Sequence, residues 1–139
     1  RTFVVDVASG EARALTEPGI TGTLVSLDGR WVFTRRGLDQ FFKTPLAGGP
    51  SVPIRGLVRE LYAIDWTPDG NHLLVVGAGV PAPVYRVDIG SGEKQLVRTI
   101  GPADMAGVQV VSQVLNRGKI WAFSYLRTLS DLYVAEGVQ

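Results

Sequence analysis

Residues 67–74 read Thr67-Pro68-Asp69-Gly70-Asn71-His72-Leu73-Leu74, a turn that ends in glycine and leads into a short apolar strand. Proline sets φ early in such a turn, and Asp-Gly suits a tight hairpin because glycine tolerates positive φ. The pattern occurs twice more, and its glycines are separated by 41 residues (29 to 70) and 48 residues (70 to 118). The other two copies are Ser26-Leu27-Asp28-Gly29-Arg30-Trp31-Val32-Phe33 and Asn116-Arg117-Gly118-Lys119-Ile120-Trp121-Ala122-Phe123.

A second landmark advances along the chain with the first. Aromatic residues that begin a strand before a small-residue turn recur at spacings of 39, 43 and 48 residues, and they are Phe3, Phe42, Tyr85 and Tyr133. Asp6 and Asp88 occupy the same place in the first and third copies. Two landmarks that keep one period indicate a repeat, and each unit divides into four short strands. In the central unit we predict these strands at 61–66, 73–76, 84–89 and 94–97, where Val, Ile, Tyr and Trp predominate.

These units predict an all-β fold of β-propeller blades, each a four-stranded antiparallel sheet. A sandwich or barrel is the alternative, but neither needs a four-strand motif repeated at this period. We expect the end of one blade at 1–19, complete blades at 20–56 and 57–101, and a last blade without its final strand at 102–139. Because about four to eight blades close a ring, some three blades predict an incomplete propeller. Further N-terminal blades or self-association would complete it.

The charge balance and composition exclude several classes of protein. The chain has 14 Lys and Arg against 13 Asp and Glu, and this near-neutral balance predicts no nucleic-acid partner. It has no Cys, which excludes disulfides and thiolate metal sites. No apolar run approaches the roughly 20 residues of a membrane span, so we expect no direct membrane insertion. Arg1 opens directly into a strand-like segment, which predicts a piece of a longer protein.

Residues with catalytic or metal-binding chemistry are sparse. His72 is the only histidine, and its apolar neighbours predict a strand residue rather than a general base. No Gly-x-Ser-x-Gly elbow occurs. Gly77-Ala78-Gly79 precedes Val80-Pro81 instead of a helix, so it predicts a loop and not a phosphate site. We therefore predict no catalytic residue, no cofactor and no metal ligand, and a chain that is not an enzyme.

Two further groups of residues are assigned to structure. The carboxylates Asp39, Asp65, Asp69 and Asp131 are too isolated for a calcium loop, and Asp28 and Asp69 suit turns. Trp31, Trp66 and Trp121 each lie in or beside a predicted strand, which favours packing over a recognition surface. The arginines at 35, 36, 55, 59, 117 and 127 are interpreted as solvated loop charges.

The segment Trp66-Thr67-Pro68-Asp69-Gly70 resembles the Trp-Ser-Pro-Asp-Gly turn of TolB-type propeller blades, with Thr in place of Ser. The run from Phe41 to Pro50, with Pro45-Leu46-Ala47-Gly48-Gly49 at its centre, is similar to a strand of the propellers that end certain bacterial membrane-bound Ser/Thr kinases. The segments 85–92, 102–108 and 124–137 resemble the same group. Leu27-Asp28-Gly29 and Asn116-Arg117-Gly118 depart from the turn motif. The resemblance implies an extracytoplasmic domain joined through one membrane helix to a cytoplasmic kinase, whose own motifs do not occur here.

The sequence thus predicts a non-catalytic sensor or binding region of a bacterial signalling protein. A propeller from a serine peptidase and a TolB-like periplasmic accessory protein are the alternatives. The most variable segments are 35–40, 77–83 and 126–131, and we predict that an unidentified ligand or protein partner contacts these blade-end loops.

Overall fold

The computed structural model describes residues 1–117 and 120–130, and in these residues the chain forms twelve β-strands and no helix. The strands make four antiparallel sheets. The first sheet contains β1 (Phe3–Val5) and β2 (Ala12–Ala14). The second contains β3 (Ile20–Val25), β4 (Trp31–Arg36), β5 (Gln40–Pro45) and β6 (Val52–Pro53). The third contains β7 (Leu61–Trp66), β8 (His72–Gly77), β9 (Ala82–Asp88) and β10 (Lys94–Ile100), and the fourth β11 (Val108–Arg117) and β12 (Ile120–Arg127).

In every sheet, each strand pairs with the next one along the chain. The prediction of an all-β fold is confirmed, and so are the four strands of the central unit. Three of those strands have bounds different from the predicted ones. The largest difference is in β10, which continues to Ile100 because its pairing with β9 extends to Ala82. The aromatic landmark at Tyr133, and residues Gly118 and Asp131, lie outside the described residues.

The repeated glycine turns have the same hydrogen bonds in the second and third sheets. Gly29 and Gly70 have φ values of 70° and 66°, so the predicted need for positive φ is confirmed. The hydroxyl of Thr67 donates to Asp69 Oδ1 at 2.6 Å, and the hydroxyl of Ser26 donates to Asp28 Oδ1 at 2.6 Å. The departure of Leu27-Asp28-Gly29 from the motif therefore leaves the turn geometry unchanged.

A second turn also occurs twice with the same hydrogen bonds. Asp6 Oδ1 accepts hydrogen bonds from the backbone N–H and the hydroxyl of Ser9, at 2.8 and 3.0 Å. Asp88 Oδ1 accepts the same two bonds from Ser91, at 2.7 and 2.9 Å. The predicted correspondence of Asp6 and Asp88 thus has a physical basis, because each carboxylate satisfies the backbone of its own turn.

The second and third sheets pack face to face, and their contact is termed the closed seam. From the second sheet it buries Phe33, Phe41 and Ile54, and from the third Trp66, Leu73, Val75 and Val87. The Trp66 side chain is 1% exposed, and its indole N–H donates to Leu24 O across the seam at 3.4 Å. This apolar cluster is the main core of the described residues.

The fourth sheet packs on the other face of the third, around a smaller cluster. Val84 and Ile100 of the third sheet are buried there with Val114 of β11. The first strands of the second, third and fourth sheets are also neighbours, since β3 contacts β7 and β7 contacts β11. These three sheets therefore follow one another in a stack, with their first strands side by side.

Candidate functional site

A groove of about 650 Å³ separates the third sheet from β11, and we refer to it as the open groove. Its walls come from β7 and β8, from the turn that follows β8, and from the first half of β11. It continues the small cluster of Val84, Ile100 and Val114 toward the surface. The lining residues are Tyr62, Ile64, Val76, Gly77, Ala78, Gly79, Val80, Gln109, Val110, Val111, Ser112, Gln113 and Val114.

Small residues at the end of β8 leave the groove open. Gly77 ends this strand, and the two residues after it, Ala78 and Gly79, fill little space. A Cβ at Gly77 would lie 3.3 Å from Pro83 and 3.5 Å from Leu61, so the backbone already packs closely there. At the corresponding place in the second sheet stands Arg36, whose guanidinium donates to Glu17 at 3.1 Å.

On the opposite wall, β11 is irregular. Its pairing with β12 shifts register between Ser112 and Leu115, and Gln113 within that interval has φ of 49°. Positive φ is uncommon for a residue other than glycine, and such residues are enriched at binding sites. This irregular part of β11, Ser112 to Val114, lines the groove.

The chemistry of the open groove is apolar and uncharged. None of its lining residues is Asp, Glu, Lys, Arg or His. Tyr62 is 63% exposed, and Val80 and Val110 are exposed as well. The polar groups available to a ligand are the Tyr62 phenol and the side-chain amides of Gln109 and Gln113, since Ser112 Oγ lies 3.0 Å from Ser124 Oγ. Such a surface selects for an uncharged, largely apolar molecule.

Of the three predicted recognition segments, only 77–83 contributes to this groove. The predicted loop at 35–40 is wrong, because Arg35 and Arg36 lie in β4 and Gln40 begins β5, which leaves a turn of three residues. The predicted loop at 126–131 begins later than expected, since Leu126 and Arg127 belong to β12, and Asp131 lies outside the described residues. In both segments, strand pairing continues beyond the apolar residues that the sequence shows.

Four of the arginines interpreted as loop charges lie in strands instead, namely Arg35 and Arg36 in β4, Arg117 in β11 and Arg127 in β12. Arg36 lies in β4 and pairs with Glu17. Arg127 lies in β12 and is one-quarter exposed, and its guanidinium lies 3.1 Å from Asp104 Oδ2. Both ion pairs join the end of a strand to the loop that precedes its sheet.

His72 is a strand residue, as predicted, and it lies between two carboxylates. Its Nδ1 is 2.9 Å from Asp69 Oδ2 and its Nε2 is 3.6 Å from Asp88 Oδ2. The imidazole thus links the two repeated turns of the third sheet. Hydrogen bonds from the Thr67 hydroxyl and the Asn71 N–H, with a smaller contribution from His72, lower the pKa of Asp69 to about 2. Ser91 lies in the same pocket, where its hydroxyl donates to Asp88 Oδ1 at 2.9 Å as part of the turn.

The tryptophans take part in packing. Trp66 is buried in the closed seam, whereas Trp31 and Trp121 are partly buried and each lies against a cation. Lys43 Nζ is 4.4 Å from the ring centroid of Trp31, and the Arg98 guanidinium is 5.2 Å from that of Trp121. Because Arg98 belongs to the third sheet and Trp121 to the fourth, this cation–π contact helps to join the two sheets.

In the part of the chain that the structure describes, no group of three or more His, Asp or Glu side chains is placed to hold a metal ion. The same residues include no helix with the length and apolarity to cross a bilayer. No protein-family model matches the sequence. Nor does any curated protein show significant similarity to it.

Proposed function

We propose that this chain belongs to a β-propeller and acts as a non-catalytic binding region, with the open groove as its ligand site. Four sheets of consecutive antiparallel strands are the arrangement expected of successive blades, and so are the neighbouring first strands of the second, third and fourth sheets. The repeated turns and the face-to-face packing of the second and third sheets support the same assignment.

One observation carries the choice of site: a groove of about 650 Å³ whose lining has no charged side chain. This volume is within the range of small-molecule sites, and residues 77–80 of one predicted recognition segment line the groove. We infer that the ligand is an uncharged small molecule with an apolar body and at least one hydrogen-bonding group for Gln109 or Gln113. A partner protein that binds the same surface is the alternative to a small-molecule ligand.

We propose that the chain belongs to the extracytoplasmic sensor part of a bacterial membrane-bound Ser/Thr kinase. This proposal rests on the likeness of 41–50, 85–92, 102–108 and 124–137 to such propellers, whereas the Trp66–Gly70 turn resembles TolB-type blades in general. A serine-peptidase propeller and a TolB-like periplasmic accessory protein remain the alternatives. The complete gene distinguishes them, because a kinase with a membrane helix upstream supports the proposal, and a hydrolase domain or a bare signal peptide contradicts it.

A titration with 3-phenylpropionamide, followed by methyl NMR, tests the groove. We expect saturable shifts of the Val76, Val110 and Val111 methyl groups. Ala78→Trp places an indole in the groove and should weaken this binding about tenfold or more. Ala47→Trp is the matched control, since Ala47 is an exposed turn residue of the second sheet. Absence of shifts at these valines, or unchanged binding by Ala78→Trp, would contradict the proposed site.

The prediction that the chain is not an enzyme has its own test. We expect no turnover of peptide, ester or ATP substrates by the purified chain. Turnover that a single substitution in this sequence abolishes, His72→Gln for example, would overturn the binding assignment.

A further inference from the structure

A second cleft, of about 470 Å³, lies between the second sheet and the turn after β9, and it differs from the open groove in charge. Its walls are apolar and include the Trp31 ring, Ile54 and Ile89. Two cations, Lys43 and Arg55, complete the lining, and no carboxylate is part of it. An apolar cleft whose lining carries two cations and no carboxylate favours an anion with an apolar body.

Lys43 is held at the inner end of this cleft. Its ammonium group donates one hydrogen bond, to Gly70 O at 3.0 Å, and lies against the Trp31 ring. An ammonium group has three donors, so two remain for a ligand. Partial burial lowers the pKa of Lys43, and the charge of Asp28 opposes this only in part. Asp28 itself is engaged by Ser26 and Arg30.

Arg55 supplies the second cation from a backbone fixed between two sheets. Its N–H donates to Ile89 O of the third sheet at 3.4 Å. The next residue, Gly56, is so close to the turn after β9 that an added Cβ would lie 2.2 Å from Gly92 O. Within the described residues, the Arg55 guanidinium has no hydrogen-bond acceptor and no ion-pair partner. The backbone at Arg55 is therefore fixed, while the donors of its guanidinium are unused.

We propose that this cleft binds a small organic carboxylate, with the carboxylate between Lys43 and Arg55 and the apolar body against Trp31. The volume accommodates a molecule of this size. Guanidinium and ammonium groups both bind carboxylates through charge-assisted hydrogen bonds. The proposal does not depend on the open groove, whose lining is uncharged.

The test uses 3-phenylpropionate and its neutral amide as probes, with NMR signals read at each site. We expect the carboxylate to shift the Trp31 indole signal and the methyl signals of Ile54 and Ile89 saturably. The amide should bind this cleft about tenfold more weakly, because it lacks the charge that Lys43 and Arg55 recognise. Equal binding of acid and amide here, or no shift at these residues, would overturn the proposal.

Arg55→Gln should lower carboxylate affinity at the cleft about tenfold, and Arg55→Lys should restore part of it. The melting temperature should not change, because the Arg55 side chain is exposed. Arg59→Gln is the matched control, since Arg59 lies in the same loop but pairs with Glu60 at 2.6 Å. Retention of wild-type affinity by Arg55→Gln would sink the proposal. The methyl signals of Val76, Val110 and Val111 report on the open groove in the same spectra. Loss of binding at one site is therefore distinguishable from loss of binding at the other.

Discussion

The closed seam and the open groove are two contacts made by opposite faces of the same sheet, and only one of them is filled. On one face, Trp66 and Leu73 meet the stacked rings of Phe33 and Phe41, whose centroids are 5.9 Å apart. On the other face, the sheet meets the irregular strand β11. There β8 ends at Gly77, and the small residues Ala78 and Gly79 follow it. Large aromatic residues thus close one contact between sheets, and small residues leave a cavity in the other. The size of the side chains at each contact, together with the irregular pairing of β11, distinguishes the structural contact from the candidate site.

Truncation of a buried residue on each face should show the difference most clearly. Trp66→Ala should destabilise the protein by about 3–5 kcal/mol, because it leaves a large cavity in the closed seam. Val114→Ala, beside the open groove, should cost only about 2 kcal/mol, since two methyl groups are lost. Urea unfolding of both variants measures this. Equal losses would mean that the two contacts contribute equally to stability.

The glycines provide the next test of how tightly the closed seam is packed. Gly56→Ala should cost about 2–4 kcal/mol, because φ is +75° and the added Cβ would clash with the Gly92 backbone. Gly70→Ala should cost only about 1 kcal/mol, since its φ is also positive but no atom lies within 4 Å of the added Cβ. If thermal unfolding ranks the two variants in the opposite order, the close approach of the second and third sheets is incorrect.

The smallest effect is expected from the turn that borders the closed seam. The pKa of Asp69 is about 2 in the folded protein, below its ordinary value of about 4. A lowered pKa means that the ionised carboxylate stabilises the fold above about pH 4, and that this contribution is lost as the pH falls toward 2. At pH 6, the free energy of unfolding of Asp69→Asn should therefore be lower than that of the wild type by less than about 1 kcal/mol. The difference should vanish near pH 2.

Asp39→Asn is the control for this pH series. Asp39 lies in an exposed turn and, within the described residues, accepts no hydrogen bond. Its variant should match the wild type throughout. A difference between Asp69→Asn and the wild type that grew as the pH fell would contradict the assigned role of the turn.

The sequence predicted the fold better than it predicted the candidate site. Turn residues such as Asp69 and Gly70 act locally, so their spacing reveals the hairpins, and the repeat reveals the four-strand units. The groove depends instead on how residues about 30 positions apart, such as Ala78 and Gln109, meet across two sheets. No short-range pattern encodes that contact. A signal was nevertheless present in the Gly77-Ala78-Gly79 run, which begins 77–83, one of the three predicted recognition segments.

The pairing of Lys43 and Arg55 in one cleft could not be predicted for a similar reason. Lys43 occupies an ordinary position in a strand, and Arg55 follows a short edge strand, so neither forms a motif. They share a cleft only because the second sheet packs against the turn after β9. The error at 35–40 had a different origin, since the charges of Arg35 and Arg36 masked a regular hydrogen-bond ladder.

Xenon NMR under moderate gas pressure tests the contrast between the two faces most directly, because xenon enters apolar cavities without forming hydrogen bonds. The account predicts pressure-dependent shifts of the Val76, Val111 and Val114 methyl groups beside the open groove. It predicts none at Leu73 and Val75 in the closed seam. Equal shifts on both faces, or shifts confined to Leu73 and Val75, would contradict it.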